Sequence, residues 1–172
     1  SIRHNDGFFI TPSGAKYNNL KNDDIVFVSL DGKYDEKKLK PSSEWRFHKD
    51  IYLKKKEANA IVHAHSVHAT AVSTHRKSIP AFHYMVALAG GNDIKCAEYA
   101  TFGTEELSKN IVKALDNRKA CLMSNHGQVA FDISLDKAFE LAEEVENICH
   151  QYINALKIGT PKILSFEEMK KI

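Results

Sequence analysis

The stretch Ala60-Ile61-Val62-His63-Ala64-His65-Ser66-Val67-His68 (AIVHAHSVH) decides how this chain is read. It begins as a run of strand formers yet carries histidines two residues apart, and an imidazole is costly to bury without a partner. In a strand, residues i and i+2 project from the same face, so Ile61, His63 and His65 point one way while Val62 and Ala64 point the other. His63 and His65 can therefore chelate one ion. Ser66 caps a helix predicted over Val67 to Thr74, so a strand at Ala60 to His65 passes directly into a helix.

Outward from this unit, short apolar runs alternate with amphipathic stretches, which points to an α/β fold. Phe8-Phe9-Ile10 and Ile25-Val26-Phe27-Val28 read as strands, the second ending at the Asp31-Gly32 turn with Lys33-Tyr34 returning. Between them, Thr11-Pro12-Ser13-Gly14 reads as a loop. The paired serines Ser42 and Ser43 precede Glu44 and a helical segment with Phe47 and Ile51 four apart. Gly103-Thr104-Glu105-Glu106 opens another helix with Leu107, Ile111 and Leu115 on one face. Ala120 to Ser124 is a strand, Asn125-His126-Gly127 a turn, and a last long helix starts at Ser134 and ends at Gly159.

Two imidazoles do not complete a catalytic metal site, which needs a third protein ligand and an open position. His126 meets that need at a turn where Gly127 permits close backbone approach. His68 and His75 lie on the helix after the strand, and His4, His48, His83 and His150 lack chelating spacing, so hydrogen-bonded or surface roles suit them. A helix start at Ser42 and Ser43 offers hydroxyls and N–H groups to an anion with the Glu44 carboxylate beside it. Ser13 and Gly14 can add donors to the same phosphate.

Composition narrows the function classes. The chain has 172 residues, 43% of them hydrophobic, enough for one domain with a substantial core. Its 24 basic and 22 acidic residues are interspersed, which argues against a nucleic-acid partner. Three cysteines, Cys96, Cys121 and Cys149, fit neither a disulfide framework nor a zinc ribbon, and a reducing cytosol is the expected setting. No run reaches transmembrane length, and the first residues lack the apolar core of a secretory signal. The missing initial methionine suggests a chain trimmed at its N-terminus.

Taken in order, Pro41-Ser-Ser-Glu-Trp-Arg-Phe-His48, Ala60-Ile-Val-His-Ala-His65, Ile79-Pro-Ala-Phe-His-Tyr-Met85, Ala100-Thr-Phe-Gly-Thr104 and Asn125-His-Gly127 resemble the class II aldolase/adducin family over nearly the whole chain. The resemblance implies a single domain over residues 1–172, with a central, mainly antiparallel sheet flanked by helices in three layers. It implies one zinc per subunit on His63, His65 and His126, with Glu44 as catalytic acid–base and a further ligand without substrate. Ser13, Gly14, Ser42 and Ser43 match phosphate-binding positions, and Tyr84 and Phe102 match residues that position an aldehyde, Tyr84 through its hydroxyl.

The activity so implied is reversible cleavage of L-fuculose 1-phosphate, or a related ketose 1-phosphate, to dihydroxyacetone phosphate and L-lactaldehyde through an enediolate. A cytoplasmic homotetramer with active sites at subunit interfaces follows from the same resemblance. Three alternatives share the scaffold. A sugar-phosphate 4-epimerase carries aspartate where this chain has Glu44. A methylthioribulose-phosphate dehydratase matches Trp45-Arg46-Phe47-His48 less well. A non-catalytic adducin-like interaction module lacks the histidines. The family pattern also has a Gly-Asn pair before the position of Ser1 and a tail beyond Ile172 with another tyrosine, so trimming is expected at both ends.

Overall fold

A computed structural model describes residues 1–172. Its main sheet has seven strands: β1 (Ile2–His4), β2 (Gly7–Ile10), β3 (Val26–Ser29), β4 (Ala60–Ala64), β7 (Cys96–Ala97), β8 (Ala120–Met123) and β9 (Gly127–Asp132). Their spatial order is β3-β2-β1-β4-β9-β8-β7, and every pair is antiparallel except the edge pair β7 and β8. A separate two-stranded ribbon joins β5 (Ile79–Pro80) to β6 (Asp93–Ile94). The fold is α/β with one domain's worth of layers, as the sequence led us to expect.

Side-chain alternation divides the core between the two faces of the sheet. Ile61, Cys121, Met123, Val129 and Phe131 face α1 (Trp45–Lys54) and α3 (Glu105–Ala114), where they pack with Phe47, Ile51, Leu107 and Ile111. Ala120, Leu122 and Ala130 face α2 (Val67–Ser73) and α4 (Leu135–Ile158), where they meet Ala69, Val72, Leu141 and Val145. Each fully buried Ile or Phe among these is worth about 1.5–3 kcal/mol relative to exposure. The short α5 (Phe166–Met169) seals the second layer through Met169. No helix is long and apolar enough to cross a membrane.

Local expectations differ from the structure at several points. Lys33-Tyr34 does not return as a strand; β3 pairs instead with β2, and the Lys33 carbonyl only closes the turn by accepting from Ser29 N–H. The Asp31-Gly32 signal therefore marks a turn without a hairpin. Ser66 is the cap residue of α2, yet its side chain makes no cap hydrogen bond; Glu146 of α4 accepts from the His68 and Ala69 N–H groups in its place. Residue Glu44, rather than either serine, occupies the cap position of α1.

Candidate metal and acid–base site

β4 ends at Ala64, and its neighbour β9 begins at Gly127, so the end of β4 and the β8–β9 turn lie side by side. That juxtaposition brings His63, His65 and His126 together. One ligand atom from each lies within 4.8 Å of the others, and the ring centroids are 4.8–5.0 Å apart. The approach depends on Gly127, because a Cβ there would overlap the Ala64 carbonyl oxygen. Asn125 turns the chain with φ +54°, and the turn is tied to α2 by bonds from Asn125 N–H to the Ser73 carbonyl and from His126 N–H to the Ser73 hydroxyl.

Hydrogen bonding and burial define the states of His63 and His126. His63 Nδ1 donates to the Gln128 carbonyl at 2.8 Å, which fixes its tautomer and leaves Nε2 as a lone pair. His65 Nε2 lies 3.1 Å from that atom and donates to it. Burial lowers the pKa of His63 to about 3 and that of His126 to about 4, so both are neutral at pH 7. Neutral imidazoles with converging nitrogens are what a metal ion requires.

Glu44 completes the cluster. Its side chain is buried, and Oε2 lies 4.0 Å from His126 Nε2 with no hydrogen-bond partner of its own. Burial raises its pKa above the usual carboxylate range, with the Gly103 N–H pulling the other way. A buried, unpartnered carboxylate oxygen beside a cluster of three imidazoles is a costly arrangement that a cation would satisfy. The donor set, nitrogen and carboxylate oxygen, fits zinc.

The site opens into a cleft of about 1040 Å³. Ser13, Gly14, Ser42 and Ser43 line one wall, where the Ser13 N–H bonds to Lys40 and the Ser42 N–H to Thr11, holding the two loops edge to edge. Ser42 Oγ also accepts from the Glu44 N–H at 3.3 Å, so the serine wall and the carboxylate share one turn. Phe102 lies at the rim with 66% exposure, on a loop whose Gly103 adopts φ +73° and passes close to the Ser43 carbonyl.

Tyr84 is the site residue that the structure does not bring in. It opens a 3-10 turn, Tyr84–Ala89, and rests against His83 outside the cleft, 53% exposed. Two further lining residues carry no site role in the sequence reading, which takes His48 as hydrogen-bonded or surface and Asn125 as part of a turn. His48 is buried in the cleft wall, stacked on Phe47 and bonded to the Ser1 hydroxyl; its position on the first turn of α1 gave a local hint. Asn125 lines the cleft and accepts from Arg76 at 2.7 Å, a contact with no signal in local sequence.

Comparison with known proteins gives one consistent result. Residues 1–153 match the family described as "Class II Aldolase and Adducin N-terminal domain". The L-fuculose phosphate aldolase of Escherichia coli K12 is 52% identical over 170 residues, covering 98% of this chain and 79% of the relative. A 5-methylthioribulose-1-phosphate/5-deoxyribulose-1-phosphate aldolase of Rhodospirillum rubrum is 46% identical over 172 residues, covering 100% of this chain and 77% of the relative. Among solved structures, an L-fuculose 1-phosphate aldolase superposes with a TM-score of 0.92 at 42% identity, covering 96% of this chain and 78% of that one. With the histidine cluster, the layered sheet and these matches in agreement, this chain belongs to the class II aldolase and adducin N-terminal domain family.

Proposed function

We propose that the protein is a zinc-dependent aldolase that reversibly cleaves a ketose 1-phosphate, L-fuculose 1-phosphate foremost, to dihydroxyacetone phosphate and L-lactaldehyde. The observation that carries this reading is the meeting of three imidazoles, one buried carboxylate and a wall of serines in a single cleft. His63, His65 and His126 would hold the ion, with Glu44 as a further ligand before substrate enters. When bound, the cation supplies positive charge that stabilises an oxyanion developing beside it.

The chain's own groups account for binding and proton movement. Ser42, Ser43, Ser13 and the Gly14 backbone take the phosphate, which anchors the ketose with its carbonyl end toward the histidines. In cleavage the C3–C4 bond breaks, its electron pair passes toward the C2 carbonyl, and the C4 hydroxyl gives up its proton to solvent by way of the Tyr84 hydroxyl as the aldehyde forms. Glu44 then delivers a proton to C3, and in synthesis it removes the same proton from the hydroxymethyl carbon of dihydroxyacetone phosphate. A carboxyl with a raised pKa suits both directions near neutral pH.

Tyr84 hydrogen-bonds the C4 oxygen, and Phe102 bounds the aldehyde. Because Tyr84 stands outside its own cleft and both side chains are exposed, the reading assigns them to a subunit interface in a homotetramer. The cytoplasm is the compartment that suits three free cysteines.

A second reading keeps the chemistry and changes the aldehyde. It is favoured by the 46% identity to the methylthioribulose/deoxyribulose phosphate aldolase. The test is a cleavage assay on L-fuculose 1-phosphate, 5-deoxyribulose 1-phosphate and 5-methylthioribulose 1-phosphate, reading dihydroxyacetone phosphate. The first reading requires the highest kcat/KM for L-fuculose 1-phosphate. A preference for either pentulose supports the second, and no dihydroxyacetone phosphate from any of them contradicts both.

A further inference from the structure

Gln128 is 1% exposed and sits on the α4 side of the sheet, among Leu122, Ala130 and Ala142, where an apolar side chain would pack without cost. A buried amide in such a place needs a reason. Its side-chain Nε2 donates to Ser66 Oγ at 2.8 Å and to the Ala142 carbonyl at 3.0 Å. Its backbone carbonyl accepts from His63 Nδ1 at 2.8 Å. One residue thus touches the supports of two histidines. The main chain fixes the ring of His63, while the side chain grips the residue that immediately follows His65.

That grip matters because β4 ends at Ala64, so no ladder hydrogen bond holds His65 itself. Ser66 stands between β4 and α2, and α2 is itself tied to α4 by Glu146, which accepts from the His68 and Ala69 N–H groups. Gln128, bonded both to the Ser66 hydroxyl and to the Ala142 carbonyl of α4, therefore determines where the strand-to-helix junction lies relative to α4. His126 is secured separately, through Ser73 and Thr70 of α2.

We infer that Gln128 is a positioning residue for the metal site, holding His65 through Ser66 while its carbonyl orients His63. This rests on the reading of the three histidines as metal ligands. Outer groups of this kind change metal affinity by about 10–100-fold when lost, and a packing role would leave affinity unchanged.

The test uses the full chain stripped of metal. Cobalt(II) is titrated by its visible absorption and zinc by competition with a chromogenic chelator, for the wild type, Gln128→Met, Ser66→Ala and the double variant. The expected result is a roughly 10–100-fold weaker zinc affinity and an altered cobalt spectrum in each single variant. The double variant should bind no more weakly than the poorer single one, because the two residues act as one unit. The melting temperature of the metal-free Ser66→Ala protein should stay within a few degrees of the wild type.

If Gln128→Met fails to fold, Ser66→Ala still decides. Wild-type affinity in Ser66→Ala, losses that multiply in the double variant, or a fall in metal-free stability at unchanged affinity would each overturn the inference. Absence of cobalt and zinc binding in the wild type would instead overturn the metal-site reading on which it rests.

Discussion

His63, His65 and His126 are brought together by the main chain: β4 sets His63, the residue just past its end is His65, a hairpin turn sets His126, and a glycine lets the two backbones meet. Tyr84 and Phe102 stand on a 3-10 turn and a loop, 53% and 66% exposed, and only Phe102 borders the cleft. The difference separates two tasks. In the proposed function, ion holding and proton movement need sub-ångström placement and would be met within one chain, whereas aldehyde positioning would fall to exposed side chains. Steps that involve only the first region should survive damage to the second.

Replacing His126 with alanine is the severest test of the first region. It removes one of three imidazoles and leaves Glu44 nearer to unpaired burial. Bound zinc should be lost, and cleavage should fall on the order of 10³-fold or more, since metal charge stabilisation is worth several kcal/mol. Metal analysis beside the assay checks both, and zinc held at wild-type affinity would separate His126 from the ion.

The serine wall ranks next. Ser42→Ala with Ser43→Ala deletes two hydroxyls facing the cleft, and hydrogen bonds to a charged group are worth about 1.5–3 kcal/mol each. The KM for dihydroxyacetone phosphate should rise at least roughly tenfold in the condensation direction. Unphosphorylated dihydroxyacetone should be far less affected, and equal losses would remove the phosphate role.

Tyr84→Phe tests the second region alone. Losing one hydroxyl should cost cleavage about tenfold, in line with one hydrogen bond to a developing charge. Deuterium exchange into dihydroxyacetone phosphate without aldehyde should be unchanged, because that step uses only the ion and Glu44. A parallel fall in both would join the two regions into one.

The smallest effect concerns the junction behind His65. Glu146 has a folded-state pKa below the ordinary value: burial opposes this, but the His68 N–H, the Ser66 hydroxyl and the Ala69 N–H outweigh it. A depressed carboxyl pKa contributes stability above the unfolded pKa, about 4.3, and loses it as pH falls through the folded value. Glu146→Ala should therefore lower the melting temperature by about 2–4 °C at pH 7, the shift for ~1 kcal/mol of capping in a chain of this size. Most of that difference should vanish once the pH has fallen below the folded-state value. A gap that persists there would mean that the carboxylate charge is not what stabilises α2.

What the sequence disclosed follows the same division. Period-two placement of His63 and His65, the Asn-His-Gly turn, and the serines before Glu44 are local patterns, and the structure brings them together in one cleft. The alternation of apolar and amphipathic runs gave the α/β class for the same reason. Elements without a period stayed hidden: β7 is two residues long, and the 3-10 turn at Tyr84 has no helical repeat to detect. Lys33-Tyr34 misled because a turn signal states where a chain bends and not what it pairs with. Gln128, Ser73 and Glu146 act across elements, so nothing beside them in the chain reveals their partners.

Glu44 is the residue on which the proposed activity turns, and solvent exchange isolates its step. In deuterated water the zinc-loaded protein should exchange one hydrogen of the hydroxymethyl carbon of dihydroxyacetone phosphate with no aldehyde present. Glu44→Gln, with zinc content matched, should exchange roughly 10²–10⁴-fold more slowly, the range for loss of a general base. A zinc-loaded Glu44→Gln protein that exchanges at the wild-type rate would show that another group moves the proton, and would contradict the account.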